Sequence, residues 1–239
     1  MTITSPHNEK LKLIRRLGRR RSREREGLFA GEGEDLLAAA RAAGREPVEL
    51  LTAAGEGLGG TEVEPALLAK FSALGSGTRA IGIWKESWAE SPVAPCVYLH
   101  GVSDPGNVGT VIRTAQALIG GSVAIGPGSA DPYGPHAVRA SMGAVFAEPL
   151  VRTRIDDTPE PRVAPVAHGG DPLERLEGAA TICLGAEREG LPGEVLKRCD
   201  VRVTIPLRPG AESLNVGAAA AIALQWISSR DFSGEGDGD

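Results

Sequence analysis

Aromatic residues are scarce, at 4 % of the 239 positions. A surface that grips bases by stacking them on exposed rings is therefore a poor expectation. Cysteine is scarcer still: Cys96, Cys183 and Cys199 are odd in number, with no two in CxxC spacing. That pattern builds neither a disulfide framework nor a zinc site, and it suits a reducing, cytoplasmic setting. The histidines have no partner at metal-ligand spacing, so no metal site is expected. No apolar run approaches the roughly 18 residues that span a bilayer, and residues 1–10 lack an apolar signal segment. No membrane association is expected.

What is present is ordinary globular composition, 41 % hydrophobic and 24 % charged, over a length that allows one large domain or two modest ones. The net charge of −5 hides an asymmetry. Residues 10–25 hold Lys10, Lys12, Arg15, Arg16, Arg19, Arg20, Arg21, Arg23 and Arg25 against the single acid Glu24. Cations packed this densely repel one another unless an anion offsets them, which points to an anionic partner held at one place. Leu11, Leu13, Ile14 and Leu17 supply an apolar stripe near helical spacing, with Gly18 ending or bending the helix. A merely solvated helix face is the competing reading.

Short helices over residues 34–43 and 65–74, with strands over 48–52 and 80–84, predict a small α/β domain in residues 1–90. Residues 86–95, with Pro92 and Pro95, read as a linker. Beyond it the texture changes. Strands are predicted over 96–102, 122–125, 163–167, 181–184 and 201–205, and helices over 108–119, 136–142 and 213–229, with Asn107 as the N-cap of the first. Such alternation predicts a mostly parallel sheet covered on both faces in a second domain, residues 94–231. Residues 232–239, rich in glycine and acid, are expected to be a disordered tail.

Three segments at strand ends carry polar residues suited to a site. The first contains Asn107-Val-Gly-Thr-Val-Ile-Arg113, a turn entering a helix with a guanidinium fork six residues on. The second is Gly185-Ala-Glu-Arg-Glu-Gly-Leu191, where an apolar strand runs into acids between glycines. The third runs from Ile205-Pro to Glu212-Ser-Leu-Asn-Val216, a proline-containing loop that opens the last helix. None is a Walker loop or the dinucleotide fingerprint. Taken singly, each also reads as an ordinary cap or connection.

Together and in this order, the three resemble the signature motifs of the SpoU (TrmH) family of RNA 2′-O-ribose methyltransferases, within the SPOUT superfamily. The resemblance covers roughly residues 94–230; residues 5–90 look more loosely like the ribosomal-protein-like substrate-binding domain that many members carry in front. It implies a trefoil-knotted α/β methyltransferase domain, a homodimer, and S-adenosylmethionine held by backbone groups near Leu184, Gly185, Ile205, Leu207 and Leu214. It implies catalytic roles for Arg113, Asn107, Glu187, Ser213 and Asn215. Arg113 would take the proton of the ribose hydroxyl or bind the neighbouring phosphate. Both roles stay open, because a free guanidinium deprotonates only above about pH 12. Glu187 would orient the arginine, and Asn107 and Ser213 would fix it together with the substrate phosphate. Arg15, Arg16, Arg19, Arg20, Arg21 and Arg23 would grip RNA phosphates away from the chemistry. The implied substrate is ribosomal RNA. The alternatives are transfer RNA, methylation of a base atom, or a non-catalytic RNA-binding or ribosome-assembly factor that has kept the pocket. One departure from the family pattern is Gly217, where serine or alanine is expected; it should loosen the final helix slightly without touching the chemistry.

Overall fold

In the computed structural model, which describes residues 2–73, 75 and 77–231, the basic segment forms two helices. Helix α1 (Glu9–Leu17) starts at Asn8, whose side chain accepts from the Lys10 N–H at 2.9 Å. Gly18 ends it, and α2 (Arg20–Glu26) follows. Leu11, Ile14 and Leu17 are buried, as their spacing requires. They pack on a four-stranded sheet of order β1 (Leu28–Glu32), β4 (Ala80–Lys85), β2 (Glu49–Ala53), β3 (Thr61–Val63). Helices α3 (Glu34–Ala42) and α4 (Pro65–Ala69) complete this part; the second is shorter than the helix predicted over 65–74, part of which lies outside the described residues.

The second sheet has six strands, all parallel. They are β5 (Cys96–Leu99), β6 (Ser122–Ile125), β7 (Leu150–Arg152), β8 (Arg162–Val166), β9 (Thr181–Leu184) and β10 (Val201–Thr204), in the order β10-β8-β9-β5-β6-β7. Helices α5 (Pro105–Leu118), α6 (Pro135–Ala140) and α8 (Val216–Asp231) cover one face, where Val97, Leu99, Val111 and Leu224 meet. Tyr98, Cys183 and Leu191 face the other side, with Val195 of the short α7 (Gly193–Leu196). Burial on both faces is what an all-parallel sheet demands. No helix among the described residues is long and apolar enough to cross a membrane. The tail over 232–239 lies outside the described residues.

The two sheets share one apolar core. Phe29 and Trp84 of the first meet Tyr133 and Phe146, from the connection between β6 and β7 of the second, with ring centroids 4.7 Å apart for Phe29–Tyr133 and 4.9 Å for Trp84–Phe146. The few aromatics are thus concentrated at this junction. The proline-containing segment that reads as a linker is held along the edge of the second sheet. The Ala89 N–H donates to the Leu150 carbonyl at 2.8 Å, and Trp88 packs edge-on against Tyr133.

Two sequence expectations need correction here. Arg23 is not on the exposed basic face. It is 3 % exposed and gives Nη2 and Nε to Asp131 Oδ2 at 2.6 and 3.1 Å, and Nη1 to the Leu17 carbonyl at 2.8 Å. Its charge is neutralised internally, so it does not face RNA. Arg15, Arg16, Arg19, Arg20 and Arg21 remain on the surface. The second correction concerns α5. It begins earlier than expected, at Pro105, with Asp104 rather than Asn107 as its cap; Asp104 Oδ1 accepts the Asn107 N–H at 2.8 Å. Proline is pre-set for the first helical position, and an aspartate before it is a natural cap.

Candidate functional site

In the six-stranded sheet the chain steps outward from β5 to β6 and β7, then returns to build the other side. The order therefore reverses between β5 and β9. Open parallel sheets bind ligands at the carboxyl ends of the strands flanking such a reversal. The segments leaving β5 and β9 carry Asn107 and Glu187, and the loop leaving β10 carries Ser213 and Asn215.

These segments are joined by side chains. Asn215 Oδ1 accepts from the Gly217 and Ala218 N–H groups at 2.9 and 3.3 Å, capping α8. That fixes its amide so that Nδ2 donates to Asn107 Oδ1 at 3.0 Å. The Asn107 amide is then fixed in turn, and its Nδ2 donates to Glu187 Oε1 at 2.7 Å. One helix cap thus sets the orientation of a three-residue relay, which ends on a charge-assisted bond to a carboxylate. Because Asp104 does the capping of α5, the Asn107 side chain is available for this task.

Glu187 sits in a loop closed on itself. Ala186 and Gly190 exchange backbone bonds in both directions, at 3.2 and 2.9 Å, and Gly190 has the positive φ of +67° that the return needs. A Cβ at Gly185 would run into the backbone of Gly190 and Leu191. The glycines of this motif therefore serve the tightness of the loop.

Beside the loop lies a cavity of about 270 Å³. Leu184, Gly185, Ile205, Leu207 and Leu214, the residues expected to hold a cofactor, all line it, and so do Glu187 and Ser213. The backbone N–H groups of Leu207 and Leu214 have no acceptor among the described residues. Such a wall, apolar with free main-chain donors, suits a flat heterocycle recognised by backbone. Pro165, Val166 and Ala167, at the end of β8, also line the cavity, and sequence reasoning misses them. Their signal is only an apolar strand ending before His168-Gly-Gly.

Arg113 is not part of the relay. It lies on α5, and its side chain makes no hydrogen bond or ion pair among the described residues. Six residues along a helix of 3.6 per turn put it about 120° around the axis from Asn107. Glu187, expected to orient the arginine, instead holds Asn107 within this chain. Gly217 also differs from expectation. Its N–H donates to Asn215 Oδ1, and a Cβ there would lie 2.9 Å from Thr110 Cγ2. It is in contact with the relay rather than remote from it.

Known proteins resemble this chain over the same region. A Bacillus subtilis relative, 23S rRNA (guanosine(2553)-2′-O)-methyltransferase RlmP, is 32 % identical over 138 residues, 54 % of this chain and 56 % of that protein. A Streptomyces laurentii 23S rRNA (adenosine(1067)-2′-O)-methyltransferase is 32 % identical over 155 residues, 60 % of this chain and 57 % of that one. The chain spans about half the length of the curated relatives it matches. The crystal structure of an AdoMet-bound rRNA methyltransferase from Sinorhizobium meliloti superposes with a TM-score of 0.81 at 27 % identity, covering 94 % of this chain and 95 % of that one. With residues 94–225, all three motif segments among them, matching the SpoU rRNA Methylase family, this chain belongs to that family.

Proposed function

We propose that this protein transfers a methyl group from S-adenosylmethionine to a ribose 2′-hydroxyl of RNA, with ribosomal RNA as the substrate. The observation that carries the reading is the Asn215–Asn107–Glu187 relay, which locks three family motifs around one cavity at the sheet's reversal point. Ribosomal RNA is favoured over transfer RNA because the named relatives above act on 23S rRNA.

When bound, S-adenosylmethionine supplies an electrophilic methyl on a positively charged sulfur. Leu184, Gly185, Ile205, Leu207 and Leu214 would hold it through backbone groups and apolar walls, in keeping with the free amides of Leu207 and Leu214. Glu187 puts a carboxylate beside the cavity, complementary to that charge. Ser213 stands at the same rim with a hydroxyl suited to the incoming ribose or its phosphate. The chain must hold the attacking oxygen close to the methyl carbon, while the proton of the hydroxyl passes to solvent water. Arg113 is the phosphate-binding and charge-stabilising group, because its rigid fork matches a phosphodiester.

The reading extends to assembly. The C-terminal chain forms a trefoil knot, and two copies pair. Arg113, outside its own relay, and Ile222, an isoleucine 38 % exposed on α8, support a second copy completing the site. Residues 1–90 are an RNA-binding domain and residues 94–231 the methyltransferase domain, working in the cytoplasm.

The test uses the purified chain, methyl-labelled S-adenosylmethionine and unmodified ribosomal RNA transcripts. A 2′-O-methyl group removes the internal nucleophile of alkaline cleavage, so label recovered in alkali-resistant dinucleotides is expected. Label released in alkali as a mononucleotide would move the methyl to a base and overturn the reading.

A further inference from the structure

A second cavity, of about 450 Å³, opens at the carboxyl ends of β6 and β7, away from the relay. Its walls are residues 125–129 and 152–154 together with Arg20, and Thr153 Oγ1 donates to Asp157 Oδ2 at 3.1 Å. Arg20 comes from α2, at the front of the chain, and Arg152 and Arg154 come from the end of β7. Among the described residues the one carboxylate paired with these guanidiniums is Glu24, at 2.9 Å from Arg20 Nε and 3.7 Å from Arg152 Nη1. Arg154 has no ion pair among the described residues. Arg152 lies over the Trp88 ring, 4.5 Å from its centroid, which holds the guanidinium plane while leaving its N–H edge for another partner. Gly128, in the lining, has a φ of +76° and an N–H with no acceptor among the described residues.

Three guanidiniums outnumber the two carboxylates held at this cavity, Glu24 against Arg20 and Arg152 and Asp157 behind Thr153, and donors converging from two parts of the chain suit a tetrahedral oxyanion. The position is informative. Gly128 packs on Gly101, whose N–H donates to the Pro127 carbonyl at 2.9 Å, and Gly101 also faces Ala186. One loop, that between β5 and α5, therefore separates the arginine cavity from the Glu187 loop. With strands about 4.8 Å apart, the ends of β9 and β7 are about 15 Å apart across the sheet, a span one short strand of RNA covers.

We propose that Arg20, Arg152 and Arg154 form a phosphate subsite for a backbone phosphodiester of the same RNA strand whose ribose enters the relay site. This rests on the RNA reading above. It joins the basic front segment to the methyltransferase sheet at a defined point.

The experiment measures the affinity of the full chain for a fluorescein-labelled, unstructured 20-nucleotide RNA across a potassium chloride series. R152Q/R154Q is expected to weaken binding about tenfold at low salt and to reduce the salt slope by about 0.7 for each phosphate it no longer neutralises. R152K/R154K, which keeps the charge, is expected to retain most of the slope. Calorimetric affinity for S-adenosylmethionine is expected to be unchanged in both, which shows that the fold is intact. An unchanged slope in R152Q/R154Q overturns the subsite, as does an equal reduction in R175Q, an exposed arginine elsewhere. A rise in melting temperature with inorganic phosphate alone, abolished in R152Q/R154Q while RNA affinity stays at the wild-type value, would assign the cavity to a free anion and overturn the RNA subsite. Wild-type protein that ignores RNA at every salt concentration while binding S-adenosylmethionine defeats the RNA reading itself.

Discussion

Asn107 and Glu187 stand 80 positions apart in the chain and 2.7 Å apart in space, the asparagine amide donating to the carboxylate. The bond ties the start of α5 to the loop after β9, and through Asn215 it reaches the cap of the last helix. If the relay sets catalytic geometry as a unit, its members are not additive. Asn107→Ala and Glu187→Ala are each expected to lower kcat about 100-fold, the usual cost of misplacing reacting groups by about an ångström. The double variant should be no worse than the poorer single one. Multiplied losses in kcat of the double variant would show that the two residues act independently.

Arg113 separates charge from geometry. Lysine in its place keeps the positive charge and gives up the planar fork. Arg113→Lys is expected to raise the KM for RNA and cut turnover at least about tenfold, with S-adenosylmethionine affinity unchanged. Steady-state kinetics with RNA as the varied substrate measures this, and full turnover in the lysine variant would deny the guanidinium any special role.

The larger elements are legible in the sequence pattern. Residues 122–125 and 181–184 are strands with the expected bounds, because buried parallel strands are continuous apolar runs. The strands Leu28–Glu32, Thr61–Val63 and Leu150–Arg152 are not legible. They are short, and partners distant in the chain define them. The same limit applies to the site. The motif segments stand out one by one, but the bonds of Asn107 to Glu187 and Asn215 span 80 and 108 positions, which no spacing rule encodes. Arg23 groups with its basic neighbours in the sequence because composition does not reveal Asp131, also 108 positions away.

That distinction among the arginines is measurable. Arg23 and Asp131 are a buried pair, 4 % and 6 % exposed at their side chains. Removing one partner leaves the other charged and unpaired, at a cost of roughly 3–5 kcal/mol. Arg23→Ala should therefore lower the urea midpoint sharply. Replacing Arg19, Arg20 and Arg21 with glutamine should leave that midpoint nearly unchanged while weakening RNA binding and flattening its salt dependence. Denaturation and RNA titration on both variants check the assignment; an Arg23→Ala protein as stable as wild type would refute it.

Glu148 gives the fold a pH dependence. It is buried, its Oε1 has no hydrogen-bond partner among the described residues, and burial pushes its carboxyl up to about 7. In an unfolded chain a glutamate titrates near about 4.3. The folded state therefore favours the protonated form. That contribution is fully present below about pH 4.3 and is lost as the pH rises through about 7. Glu148→Gln removes the penalty on the ionised form, on the order of 3 kcal/mol. The variant should gain stability over wild type at pH 8.5 and much less at pH 5, as read by chemical denaturation at the two values. An equal difference at both would mean that Glu148 does not titrate in this range.

The reaction itself is open to nucleoside mass spectrometry. Ribosomal RNA transcripts lacking all modification are incubated with S-adenosylmethionine and either wild-type protein or Asn107→Ala, then digested to nucleosides. A single 2′-O-methylnucleoside is expected with wild type and nearly none with the variant. A methylated base, or a 2′-O-methylnucleoside formed equally by both proteins, would show that the relay does not serve ribose methylation.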